Sequence, residues 1–217
     1  MNFDLFGKDE LPVRADESLA PGAGVLRGFA TDRAAELLDA IHLVTARAPF
    51  RHLVTPGGFT MSVAMTNCGA AGWVSDRTGY RYDRIDPESG NPWPPMPPVF
   101  VEVAQAAAAR LGFSPFEPDV CLINRYAPGT RLSLHQDRDE KGYVDPIVSV
   151  SLGLPAVFQW GGDKRADRPQ RVPLAHGDVV VWGGPSRLFF HGVAPLADGE
   201  HPLLGRQRIN LTFRKAR

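Results

Sequence analysis

Residues 120–126, 132–137, 147–152, 156–160, 178–182, 188–193 and 208–213 form seven short apolar runs separated by turn-forming residues. Runs this short have strand length, and seven of them at this spacing predict an antiparallel sandwich or barrel rather than a helical bundle. The 22 Gly and 20 Pro support the same choice, because both residues punctuate strands. A chain of 217 residues with 43% hydrophobic content predicts one domain over 1–217, since two domains within this length would each have a small core. The expected class is therefore mainly β (α+β).

The first half reads differently. Leu37, Leu38, Ile41 and Val44 recur at helical spacing, so a helix is expected over 31–47, with Thr31 as its cap and Asp32 in its first turn. A second helix is expected to start at Pro97 or Pro98, pack through Val103, Ala104, Ala107, Ala108 and Leu111, and stop at Gly112. Between them, 52–96 holds strand-like pieces, and 85–98 carries six prolines in fourteen positions, which predicts an ordered loop without regular structure. The first fifteen residues are polar enough to be loose.

Lys+Arg and Asp+Glu number 24 each, so bulk charge draws the chain to neither nucleic acid nor an anionic membrane, and a charged partner must be met locally. The longest apolar stretch, 99–111, is interrupted by Glu102, Gln105 and Arg110 and cannot span a bilayer. Two cysteines, Cys68 and Cys121, and no secretory pattern at the start predict a cytoplasmic protein without disulfides.

The informative triplet is His135-Gln136-Asp137. On a strand, residues two apart project from one face, so both side chains can reach one ion. His191, in another strand-like run, could complete a set of two imidazoles and one carboxylate. That set leaves coordination positions open and suits iron(II) oxygenases, whereas structural zinc prefers four cysteine-rich ligands. A lone His-x-Asp is a weak signal, and the last strand-like run adds weight to it. In 208–214, Arg208, Asn210, Thr212 and Arg214 alternate with Ile209, Leu211 and Phe213. If that polar face is turned inward, its arginine needs an anion, and a dicarboxylate could serve while chelating iron at its other end. The competing reading is an ordinary edge strand. Asn124 and Tyr126 share one face in the same way, although a strand wet on one side would look identical.

The ordered series Asn124-Arg125-Tyr126-Ala127-Pro128-Gly129, Leu132 to Asp137, Ser149-Val150-Ser151-Leu152-Gly153, His176-Gly177-Asp178, Arg187 to Gly192 and Arg208 to Arg214 resembles the AlkB family of alkylation-repair dioxygenases over most of the chain. The resemblance implies a double-stranded β-helix (jelly-roll) core over 118–217. It implies Fe(2+) at His135, Asp137 and His191, with O2 as co-substrate, and 2-oxoglutarate held by Asn124, Tyr126, Arg208, Asn210 and Arg214. It further implies a nucleotide-recognition lid over 50–96, with Met65, Trp73 and Tyr80 handling the base and Ser133, Asp139 and Arg165 approaching the lesion or its backbone. Packing in the core or on the surface is the ordinary explanation for Trp73 and Tyr80, and solvation in a charged turn for Asp139 and Arg165.

The implied activity is oxidative demethylation of 1-methyladenine and 3-methylcytosine, with release of formaldehyde, succinate and CO2. The implied substrate is alkylated single-stranded DNA, with double-stranded DNA and RNA left open, and the expected protein is a monomer that does not bind membranes. The alternative is an oxygenase of the same fold acting on a protein side chain or small molecule. Whether Trp73 and Tyr80 line an open pocket beside the metal separates the two. A non-enzymatic jelly-roll module would need no complete triad, and a zinc hydrolase would need a general base that only Glu140 could offer.

Overall fold

The computed structural model describes residues 15–217, so the expected loose start lies almost wholly outside the described residues. In chain order these form β1 (Glu17–Ala20), β2 (Ala23–Leu26), α1 (Ala34–Arg47), β3 (Arg51–Val54), β4 (Thr60–Gly69), β5 (Gly72–Asp76) and β6 (Gly79–Asp83). Next come α2 (Pro98–Arg110), β7 (Val120–Tyr126), β8 (Leu132–His135), β9 (Ile147–Gly153), β10 (Ala156–Trp160), β11 (Gln170–Leu174), β12 (Val179–Trp182), β13 (His191–Val193) and β14 (Arg208–Arg214).

An eight-stranded sheet runs β1-β2-β12-β9-β14-β7-β4-β3, a four-stranded sheet runs β11-β10-β13-β8, and β5-β6 stand apart as a hairpin. Side chains from both larger sheets share two apolar clusters, one around Phe158, Trp160, Val180 and Trp182 and one around Met65, Leu122, Tyr126 and Val193. The sheets therefore pack face to face as a jelly-roll.

The inner strands β2, β12, β9 and β14 of the large sheet are buried on both faces, and strand alternation assigns each residue to one of them. Ile209, Leu211 and Phe213 of β14 join Cys121, Ile123, Val148, Val150, Val179 and Val181 beneath the two helices. Their neighbours Arg208, Asn210, Thr212 and Arg214 then face the space between the sheets, with Asn124, Tyr126 and Ser149. Strand β14 lies between β9 and β7, so the edge-strand reading does not hold. An inner strand can carry this many polar groups only where they meet partners or a ligand.

α1 buries Leu37, Ile41 and Val44 as its spacing required, but it starts later than expected. Arg33, not Thr31, is the capping residue, and no side chain caps the helix. The Thr31 carbonyl accepts the Ala34 amide in a preceding turn, and Arg33 bridges Glu36 of α1 and Glu102 of α2. The first-turn acid is Glu36, one turn beyond Asp32. α2 begins at Pro98 and ends before Gly112, whose φ of 85° favours glycine.

Sequence periodicity did not reveal β1, β2 or β11. β11 contains Pro173, tolerable because the strand is at the edge of the small sheet and pairs only with β10. Conversely, the run 188–193 is strand only from His191, since a 3-10 turn over Gly184–Ser186 and the chain leaving it occupy the approach.

The proline-rich segment 85–98 forms a turn and one isolated bridge, Ile85 to Pro92, as an ordered loop should. Asp86 anchors it. Both oxygens of this buried carboxylate accept from the Arg51 guanidinium, Ser89 Oγ adds a bond at 2.8 Å and the Glu88 amide one at 3.1 Å. Burial alone would raise the Asp86 carboxyl, but Arg51, Glu88 and Ser89 outweigh it and hold it below the usual carboxylate range. Asp86→Ala is expected to cost about 1–3 kcal/mol at neutral pH, because it leaves the largely buried Arg51 guanidinium with only the exposed Glu88 carboxylate, 3.2 Å away, as an ionic partner. A group with a depressed folded-state pKa stabilises above its unfolded value and loses that contribution as pH falls through the folded one. Urea unfolding should therefore show the wild-type advantage at pH 7 shrinking steadily below about pH 4; a gap independent of pH would contradict this assignment.

Candidate active site

β8 and β13 are antiparallel neighbours, and their register places His135 directly opposite His191. The two rings lie 4.4 Å apart, and ligand atoms of His135, Asp137 and His191 all fall within 4.8 Å of one another. His135 Nδ1 is 2.8 Å from the Ser133 carbonyl and His191 Nδ1 3.0 Å from the Phe189 carbonyl. A carbonyl can only accept, so each Nδ1 carries the proton and each Nε2 keeps its lone pair for the shared centre.

Asp137 is held by other means than expected. Strand β8 stops at His135, so Asp137 sits in the following loop and strand alternation does not aim it. Arg214 does: its Nε and Nη2 lie 2.8 and 2.7 Å from Asp137 Oδ2. Asp137 Oδ1 lies 3.6 Å from His135 Nε2, and Oδ2 3.9 Å from His191 Nε2. Burial works against the Asp137 carboxylate, but Arg214, His191 and His135 together keep its pKa well below the usual range. Burial, with His135 alongside, pushes the His191 imidazole down to about 3. At neutral pH His191 is thus a neutral imidazole and Asp137 a carboxylate, the protonation states a divalent cation requires of these two ligands.

Behind this centre Arg208 is 1% exposed, and no carboxylate among the described residues lies within 4.0 Å of it. Its Nη2 donates to Ser151 Oγ at 2.9 Å and its guanidinium lies 4.9 Å from the Tyr126 ring centroid, but Nε and Nη1 have no acceptor. Arg214 Nη1 and Asn124 Oδ1 are buried and unpartnered as well. Asn210 is fixed by Ser149 Oγ and the Val150 carbonyl, at 2.8 and 3.0 Å. Buried donors left open are costly, so the arrangement fits a ligand with an anionic group at Arg208 and acceptors near Arg214.

One cavity of about 460 Å³ contains all of this and reaches the surface past Met65, Trp73, Tyr80, Ser133 and Asp139. Trp73 and Tyr80 stack with ring centroids 5.5 Å apart and planes 11° from parallel, and Trp73 Nε1 donates to Asp139 Oδ2 at 2.7 Å. Of the residues singled out from sequence, only Arg165 is absent from the lining. It is exposed, with its guanidinium 5.9 Å from the Phe190 ring.

A model of the 2OG-Fe(II) oxygenase superfamily matches residues 22–214, nearly the whole of the described structure. The chain belongs to this superfamily. Within it, the chain is 60% identical to the alpha-ketoglutarate-dependent dioxygenase AlkB of Salmonella typhimurium, over 98% of this chain and 97% of that protein. It is 44% identical to the AlkB homolog of Caulobacter vibrioides, over 92% of this chain and 90% of that protein. Among solved structures, OsALKBH1 superposes with a TM-score of 0.80 at 30% identity, covering 93% of this chain and all of that one. The protein is thus a 2OG-Fe(II) dioxygenase of the AlkB kind. Its cofactor is iron(II) and its co-substrates are 2-oxoglutarate and O2, for which the donor set and the open guanidinium are suited.

Sequence reasoning missed the second layer of this oxygenase. Glu140, named from sequence only as the base a hydrolase would need, is buried, receives the Tyr82 hydroxyl at 2.8 Å, and lies 3.2 Å from Arg187 Nη2 and 3.4 Å from Arg214 Nε. Trp182, 4.8 Å from the His191 ring, closes the cavity on another side. Nothing in the local pattern distinguished these from other charged or apolar residues. No helix among the described residues is long and apolar enough to cross a membrane.

Proposed function

We infer that this dioxygenase removes alkyl groups from nucleic-acid bases by oxidation, with 1-methyladenine and 3-methylcytosine in single-stranded DNA as substrates. The observation that carries this is the placement of Trp73 and Tyr80 on the wall of the metal cavity: two stacked aromatic faces opening beside the metal ligands suit a planar base better than a small acid or a flexible side chain. In this reading 118–217 is the catalytic core and 50–96 the lid of one domain, which acts as a monomer. Cys68 and Cys121, both free and buried, agree with a reducing cytoplasm.

When bound, iron(II) with 2-oxoglutarate and O2 supplies the oxidising power that hydroxylates a methyl group on a ring nitrogen. The hydroxymethyl product then releases formaldehyde and restores the base. His135, Asp137 and His191 hold the metal. Arg208 with Tyr126 takes the far carboxylate of 2-oxoglutarate, while Asn124, Asn210 and Arg214 steady its chelating end. Trp73 and Tyr80 receive the flipped base, an extrusion that is cheapest for a lesion already unable to pair. Met65, Ser133 and Asp139 line its entry, and Asp139 holds the Trp73 ring through its indole N–H. Arg165 serves the backbone outside the cavity.

Mass spectrometry of a single-stranded oligonucleotide bearing 3-methylcytosine, incubated with protein, iron(II) and 2-oxoglutarate, tests the reading. Loss of one methyl group is expected, and His135→Ala should abolish it. Slow conversion of 2-oxoglutarate to succinate with the oligonucleotide untouched would leave the oxygenase standing and remove the nucleic-acid substrate.

A further inference from the structure

A second depression adjoins the active-site mouth and is lined by Ala71, Arg81, Arg84, Lys141, Ala216 and Arg217, with Tyr80, Tyr82 and Asp139 shared between it and the metal cavity. Three of its four cations come from separate parts of the chain. Arg84 follows β6, Lys141 lies in the loop that carries Asp137, and Arg217 follows β14. The Lys141 amide bonds to the Ala216 carbonyl at 3.2 Å and Arg217 Nη1 to the Ala70 carbonyl at 3.1 Å, so the fold itself draws these segments together.

Most other cations nearby are already matched. Arg81 pairs with Asp76 and Asp83, Arg51 with Asp86 and Glu88, and Arg214 with Asp137 and Glu140. Arg84, Lys141 and Arg217 are exposed, and among the described residues none has a carboxylate within 4.0 Å. In a chain of zero net charge, three such cations in one groove form a local positive site that no side-chain carboxylate among the described residues pairs with. Asp139 at its junction with the metal cavity accepts the Trp73 indole N–H, which ties this one acidic lining residue to the aromatic wall. The floor is formed by small residues, Ala71 and Ala216, with no apolar ridge that a peptide side chain would need.

Resting on the nucleic-acid reading above, we propose that this groove carries the sugar-phosphate backbone of the single strand beyond the flipped base, with Arg84, Lys141 and Arg217 each meeting a phosphate. The strand leaves the metal cavity over Tyr80 and Asp139 and enters the groove directly. Contacts to phosphate position a strand without reading its sequence, so the groove sets how tightly a long substrate binds and leaves the choice of lesion to the cavity.

The test compares wild type with the triple variant Arg84→Gln/Lys141→Gln/Arg217→Gln on two substrates carrying the same 3-methylcytosine, a trinucleotide and a strand extending several nucleotides on both sides. On the long strand, KM should rise about tenfold or more with kcat unchanged, and the slope of log affinity against log salt should fall by about 2, three contacts at roughly 0.7 each. On the trinucleotide, kcat and KM should match wild type, which also shows that the variant is folded. Unchanged KM and salt slope on the long strand would overturn the proposal. So would inhibition of the wild type by inorganic phosphate at fixed ionic strength that the variant escapes while its long-strand KM stays normal, since the groove would then hold a lone anion. If wild type demethylates neither substrate, the nucleic-acid reading itself has failed, an outcome distinct from a long-strand effect that is merely absent.

Discussion

Arg208→Met should weaken 2-oxoglutarate binding by two to three orders of magnitude while leaving the ligand-free protein as stable as wild type or more so. Truncating one partner of a buried, hydrogen-bonded charge pair costs about 2–5 kcal/mol, or roughly 30- to 5000-fold in affinity. The stability half rests on the partners Arg208 lacks. It is buried against Tyr126 and Ser151 with two open nitrogens, and burial lowers its pKa from the ordinary guanidinium value. An uncompensated buried cation opposes folding, and methionine fills similar space without one. KM for 2-oxoglutarate, read from succinate formation, and thermal unfolding with and without 2-oxoglutarate test both halves. Wild type should gain Tm from the ligand and the variant should not. A variant less stable than wild type in the absence of ligand would show that Arg208 is a structural cation and not a binding group.

The second large effect has the opposite character. Arg214→Met should destabilise the protein by about 3–5 kcal/mol, roughly 6–20 °C in Tm for a chain of this size. Arg214 stands between Asp137 and Glu140, and Arg187 pairs with the Glu140 carboxylate but meets Asp137 at its backbone carbonyl, so removal of Arg214 leaves the Asp137 carboxylate uncompensated. A divalent cation restores balance at Asp137. The loss of Tm should therefore be larger in metal-free protein than in protein loaded with iron(II) under anaerobic conditions. Metal affinity should fall as well, because Arg214 rather than a strand orients the Asp137 carboxylate. Equal losses with and without metal would place the destabilisation at Glu140 alone.

These two arginines share one face of one strand, and sequence placed both beside the co-substrate without revealing that Arg214 also pairs with Asp137. The alternation of Arg208, Asn210, Thr212 and Arg214 with Ile209, Leu211 and Phe213 announced a strand with two unlike faces, and β14 has them. Whether the polar face met water or the interior was open, because an edge strand and an inner strand can show the same local alternation. The answer came from β7 and β9 pairing on either side of β14.

His135, Asp137 and His191 were legible because metal chemistry needs particular side chains, few histidines were available, and strand geometry limits which can converge. The two helices were legible through their apolar stripes, although the start of α1 was not: the turn around Thr31 depends on contacts with distant residues, among them the bond from the Ala30 amide to the Gly177 carbonyl. β11 escaped because an edge strand needs no apolar run and tolerates Pro173.

Sequence by itself determined the strand-rich class, the two helices, the convergence of His135, Asp137 and His191 and the polar face of β14, all of which come from side-chain chemistry and short-range periodicity. Tertiary structure alone decided which charges have partners: that Arg208 faces no carboxylate among the described residues, that Arg214 holds Asp137, that Arg165 lies outside the cavity and that Arg84, Lys141 and Arg217 share a groove. The physical reason is distance along the chain. Periodicity is written into each segment, whereas the pairing of a charge is settled by the registers that bring remote segments within a few ångströms.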